Sequence, residues 1–260
     1  MELWSREHVV TLLPAVVVML FVAVALRKLI GNKDEKIRML PFQILACIVV
    51  AIEIGKQAYS LSNGYDLYCL PCHFCSLFIF MLPIMAFYRG KYMHQVRQIT
   101  TAISGATTLL TLIYPCLIYS AGNITAYFTD YISFHTVTFH NIVIFICILI
   151  LTLDLHTPAA KENEKPIFWF MLGFCVVSAS MAHILKTNFN NFYQCNIPPL
   201  ETVRQMVQDA MGYVPAQLLY VLIVSVLDLL VVWGSYRLYC LLYKLAAKKK
   251  EKNRIARIAH

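Results

Sequence analysis

Seven apolar runs of about twenty residues follow one another along this chain, at approximately 9–30, 39–61, 70–88, 97–119, 133–153, 166–186 and 214–236. A helix rising 1.5 Å per residue needs about 20 residues to cross a hydrocarbon layer about 30 Å thick. The pattern therefore predicts an all-α fold, a polytopic membrane helix bundle with seven transmembrane helices in residues 1–236 and a basic cytoplasmic tail at 237–260. The first run is not read as a cleaved signal peptide, because Glu2 and Glu7 precede it and Arg27-Lys28 close it. With 59% apolar and 14% charged residues and a mean hydropathy of +0.64, the chain has too little polar surface for a water-soluble domain. Five of its nine cysteines, Cys47, Cys116, Cys147, Cys175 and Cys240, lie in apolar runs, where a thiol packs as a small hydrophobe. A disulfide scaffold is excluded, and only Cys69, Cys72, Cys75 and Cys195 need another account.

Charge fixes an expected orientation. Five Lys or Arg lie between Arg27 and Arg38, three between Arg89 and Arg97, two (Lys161, Lys165) in the fifth connection and eight between Arg237 and Arg257. The alternate connections hold none in 61–71, none in 120–134, and only Lys186 and Arg204 around 187–213. The positive-inside rule then places the N-terminus outside and the tail in the cytoplasm. The net charge of +8 is concentrated beside a span, so it predicts contact with anionic lipid headgroups and not with nucleic acid. The Asn123-Ile-Thr125 sequon falls outside in this topology, and the long connection 187–213 reads as a lid or binding element.

Ionisable groups inside spans are costly and mark function by default. In this topology Glu53, Lys56 and Gln57 of the second span, Cys72, His73 and Cys75 opening the third, His135 and His140 with Asn141 in the fifth, and His183 in the sixth share the outer third of the membrane. The opposite half offers mainly Asp228. Each has a plainer reading: Glu53 with Lys56 as a structural ion pair, His135 and His183 as interfacial groups, His140 as a hydrogen-bonded core histidine.

The segment Tyr68-Cys69-Leu70-Pro71-Cys72-His73-Phe74-Cys75 is the densest in reactive groups. Pro71 suits the first position of a helix, which would put Cys72 and His73 at its second and third, beside unpaired amides that lower a thiol pKa and hold a developing oxyanion. Neighbours on a helix do not face each other, so a base from another span is needed, and His140 is the candidate. Three other chemistries fit the same residues: a c-type haem attachment at Cys69-x-x-Cys72-His73, a thiol-disulfide exchanger with Cys195, and a zinc site from Cys69, Cys72, Cys75 and a histidine. The zinc ligands would drift around a helix, and neither a metal nor a cofactor is expected.

These residues resemble the transmembrane protein 164 family and its bacterial relatives, the YwaF-type membrane proteins. The resemblance covers roughly 38–236. It rests on Glu53-Ile-Gly55, Leu70-Pro71-Cys72-His73-Phe74-Cys75, Ser104-Gly105-Ala106 with Pro115, Phe134-His135 with His140, Asn188-Phe-Asn190-Asn191 with Cys195, and Gly212-Tyr213-Val214-Pro215. It implies a cysteine-dependent acyltransferase acting on membrane phospholipids, including ether lipids, with the nucleophile at Cys72 from an Asn-Pro-Cys-His pattern. The bacterial pattern Leu-Pro-Leu-His-Leu-Cys matches Leu70, Pro71, His73 and Cys75 instead. The combined expectation is a multi-pass protein of the plasma membrane if bacterial, or of the endoplasmic reticulum if eukaryotic. Its catalytic candidates are Cys72, His140, His73 and Cys75, and its substrate-binding candidates Glu53, Lys56, Asn188, Asn190 and Asn191. A thiol-disulfide exchanger using Cys69 and Cys72, or a transporter or receptor, is the rival reading. The sequence leaves the oligomeric state open.

Overall fold

A computed structural model describes residues 3–159 and 163–258; Lys161 of the charge count and residues 259–260 of the tail lie outside them. The described residues form α1 (Arg6–Ile30), α2 (Glu35–Arg38), α3 (Leu40–Ser62), α4 (Leu77–Phe87), α5 (Met93–Ile113), α6 (Pro115–Ile118), α7 (Ala121–Thr125), α8 (Tyr131–Thr152), α9 (Lys165–Ile184), α10 (Pro198–Met211) and α11 (Tyr213–Ile258), with no strand among them. Five helical stretches are long and apolar enough to cross a membrane: α1, α2 with α3, α8, α9 and α11.

The expected third and fourth spans depart from that description for different reasons. The helix of the third is only α4, eleven residues or about 16 Å, because residues 70–76 do not join it. The fourth, α5, is full length but carries Gln98, Thr100, Thr101, Ser104, Thr107 and Thr111, all buried. Helices α4, α8, α9 and α11 surround it, so its environment is protein and not lipid. Its hydroxyls return to their own backbone, as Thr100 Oγ1 to Val96 O at 2.8 Å and Thr101 Oγ1 to Arg97 O at 2.7 Å. Gly105 admits Ser235 of α11, whose Oγ donates to Ala102 O at 2.8 Å, a close small-residue crossing of the kind that packs helices in membranes.

The last span leads into the expected tail without a break in helix, since α11 runs from Tyr213 to Ile258. At that end of the bundle, basic residues converge on the C-terminus of α8. Arg27 donates to Thr152 O and pairs with Asp154 at 2.9 Å; Arg38 reaches Leu153 O at 2.8 Å, and Arg97 reaches Leu155 O at 3.1 Å. Cations suit the negative end of a helix and its unpaired carbonyls. At the other end, called the lid end below, α7 bridges α1 and α8 while α6 packs on α5. Asn123 there forms a capping box with Ser120 and donates to Ser133 Oγ at 3.3 Å, so the sequon's amide nitrogen is engaged.

Candidate functional site

Two irregular segments enter the bundle from the lid end. The first, 67–76, was expected to open a helix at Pro71 and does not. The Cys72 N–H is taken by Leu70 O at 2.8 Å, and a 3₁₀ lead-in begins only at His73, whose carbonyl accepts Ser76 N at 3.0 Å. The backbone amides of His73, Phe74 and Cys75, and not that of Cys72, are thus the first-turn donors without a backbone acceptor. Cys72 is turned toward α9: Ser178 Oγ donates to its carbonyl at 2.7 Å, and its side chain packs with the cluster of Cys175, Ala182, Phe189 and Phe192.

The second segment, 187–195, descends along α11. Gln217 Nε2 donates to Phe192 O at 3.0 Å, Tyr220 OH to Asn191 O at 2.6 Å, and Asn190 Nδ2 to Asp228 Oδ2 at 2.5 Å. Gln217 to Asp228 is about 16 Å along a helix, so the loop is re-entrant. Non-helical backbone at such depth is tolerated where protein or a cavity surrounds it, and Phe189 and Phe192 are fully buried. Asn190 and Asn191 make the reversal with φ of 49° and 61°, a conformation asparagine adopts more readily than bulkier residues. Asn188 holds the turn through its side chain, accepting from Tyr193 N at 3.2 Å and Gln194 N at 3.1 Å. The two segments meet where the Asn190 N–H approaches His73 Nδ1 at 3.5 Å, while His73 Nε2 donates to Tyr68 O at 3.2 Å. Both ring nitrogens of His73 are occupied in joining the segments.

Between them lies a cavity of about 810 Å³. Of the residues singled out from the sequence, Lys56, His73, Cys75, His140, Asn188, Asn190 and Asn191 line it, together with Cys69, His135 and Cys195; Cys72 and Glu53 do not. Glu53 stands behind the wall. Its Oε1 accepts from Lys56 Nζ at 2.8 Å and Gln57 Nε2 at 2.7 Å, and its Oε2 lies 2.9 Å from His135 Nε2. That last contact is close in distance but outside hydrogen-bond angles, so the two groups are neighbours and not bonded. Glu53 thereby fixes the cavity-lining Lys56 ammonium and stands beside His135 without touching the cavity.

His140 differs from His73. Its Nδ1 donates to Thr136 O at 2.6 Å, and since a carbonyl can only accept, the neutral ring carries its proton on Nδ1 and keeps the Nε2 lone pair. His140 thus keeps Nε2 as a ring nitrogen able to accept a proton, whereas both nitrogens of His73 are engaged.

Sequence reasoning gave no role to Arg204 or Tyr220 and left Asp228 unassigned; all three line the cavity. Arg204 on α10 grips Glu201 with two bonds, of 2.7 and 2.6 Å, and reaches Gln217 Oε1 at 3.0 Å, while Glu201 also accepts the Cys195 N–H at 2.9 Å. This network fastens α10 as a lid over the cavity. The signal for it was the i, i+3 spacing of Glu201 and Arg204 directly after Pro198-Pro199.

Helices long enough to span a bilayer, packed around a shared cavity, define a multi-pass α-helical membrane protein. The chain belongs to the TMEM164 family, whose model matches residues 3–247. No curated protein and no solved structure matches it.

Proposed function

We propose that this protein transfers fatty acyl chains between membrane lipids, with its N-terminus and lid end outside and α11 ending in the cytoplasm. The observation that carries the reading is the single cavity shared by a thiol, Cys75, and an acceptor histidine, His140. In the first half-reaction His140 Nε2 takes the thiol proton, and sulfur attacks the acyl carbonyl of a donor lipid. The C–O ester bond breaks, and the lipid alcohol leaves with the proton from His140. In the second, the hydroxyl of a lysophospholipid attacks the thioester; its proton passes to His140 and on to the departing thiolate. The amides of His73 to Cys75 suit the oxyanion of both steps. Lys56, held by Glu53, and His135, together with Asn188, Asn190 and Asn191, supply the polar contacts for a headgroup.

The family pattern implies Cys72 as the nucleophile, but both cysteines pack on apolar clusters and only Cys75 lines the cavity, which favours Cys75 for this role. The test is transfer of a labelled fatty acyl chain to lysophospholipid in membranes containing each variant. Cys75→Ser and His140→Ala are expected to lose activity by at least a hundredfold, with Cys72→Ser retaining most of it. Loss in Cys72→Ser with activity kept in Cys75→Ser would move the nucleophile to Cys72. Full activity in both would end covalent catalysis. A transporter is the second reading, favoured by the two broken segments meeting within the bundle; it gains if no variant and no wild-type membrane transfers acyl chains.

A further inference from the structure

The cavity has two unlike walls. On α3, on the turn before α4 and on α8 it is polar, with Lys56, His73, His135 and His140. On α11 it presents Leu219, Ile223, Leu227 and Val231, spaced by four and so forming one apolar ridge along the helix, beside Tyr220 and Asp228. These four stay 42%, 48%, 56% and 38% exposed. They belong to a stretch long and apolar enough to span a bilayer, so the medium they face there is hydrocarbon. Leu117 of α6 and Ile132 of α8 also line the cavity. The main packing partners of α11 are α5, α9 and α10 and include neither α6 nor α8. Above, α10 and its Glu201–Arg204 network cover the cavity.

We propose that the hydrocarbon chain of a membrane phospholipid lies along the α11 ridge, and that it reaches the cavity sideways from the bilayer between α11 and the α6–α8 side. This rests on the lipid-directed reading above and adds the route and the binding wall. The physical argument is that a chain moving from lipid to this wall exchanges one apolar environment for another. Passage through the lid would take it across water and past a charged network. The volume is that of a ligand site, and the polar wall opposite lets the ester region of the same molecule leave the hydrocarbon without losing polar contacts.

The test uses a phospholipid with both chains ether-linked and a photoreactive diazirine in one of them, which has no acyl ester for transfer to consume, reconstituted with the whole chain in phosphatidylcholine vesicles. Peptide mapping after irradiation is expected to find label on 219–231 and on the 117–132 side. Ile223→Trp should cut that labelling about tenfold, and Leu227→Trp should do the same. Val226→Trp, equally exposed on α11 but off the cavity, should leave it unchanged. Labelling spread evenly around α11, or equal in Ile223→Trp and Val226→Trp, overturns the proposal, as does a wild-type map confined to α10. Because the probe does not turn over, the expected map with no acyl transfer by wild type would keep the lateral site and sink the acyltransferase reading alone.

Discussion

Glu53→Leu removes the one carboxylate that faces Lys56, Gln57 and His135 together. The side chains of Lys56 and Glu53 are only 10% and 8% exposed, so the ammonium left behind cannot recover water without moving. Breaking a buried ion pair from one side costs about 3–5 kcal/mol, whereas replacing both partners by apolar residues of similar volume is about neutral. Gln57 keeps its bond to Cys69 O at 2.9 Å and its bond from Tyr65 at 2.6 Å, so the loss is concentrated on Lys56. Glu53→Leu should lower the melting temperature in detergent micelles by about 10 °C, at about 2–4 °C per kcal/mol. Glu53→Leu/Lys56→Met should return most of it. A double variant as unstable as the single one would show that the loss does not come from an unpaired Lys56. A single variant within about 2 °C of wild type would show that the pair is not desolvated.

A Cβ on Gly55 would stand 2.0 Å from the Tyr131 hydroxyl oxygen, so Gly55→Ala should destabilise the α3–α8 contact by about 1–3 kcal/mol, and Tyr131→Leu in the same chain should restore it on thermal unfolding. The Arg204 guanidinium holds the Glu201 carboxyl at about 2, below its usual 4.5. A depressed carboxylate stabilises fully above the unfolded value and loses that contribution as pH falls. Lid stability should therefore decline from about pH 4.5 to about pH 2, and Glu201→Gln should flatten the melting temperature across that window. Arg38→Ala should cost about 1.5–3 kcal/mol by freeing Leu153 O, which a thermal melt would register. A reporter fused after His260 should read cytoplasmic; an exoplasmic reading would reverse the proposed orientation.

The apolar runs were enough to establish a multi-pass helical bundle, and Lys56, His73 and His140, read from the sequence as sharing one depth, line one cavity with the three asparagines. Hydropathy follows from the solvent each helix meets, which is a local property of sequence. Hydropathy could not separate α5 from a lipid-facing span, because its threonines satisfy themselves and its neighbours are protein. Nor could it stop the third helix at Leu77. Pro71 is compatible with a helix start, and the choice against it is made by Leu70 O, Tyr68 O and Asn190 N, the last of them more than a hundred residues away. That choice carries the first-turn amides from Cys72 to His73, Phe74 and Cys75 and turns Cys72 toward α9 while Cys75 faces the cavity. The descent of 187–195 to Asp228 was hidden for the same reason, since a polar loop in sequence looks alike whether it stands in water or is drawn into the bundle by Gln217, Tyr220 and Asp228. Sequence alone determined which stretches can live in a bilayer. Only tertiary structure decided which side chains face the cavity, because facing depends on hydrogen bonds between segments distant along the chain.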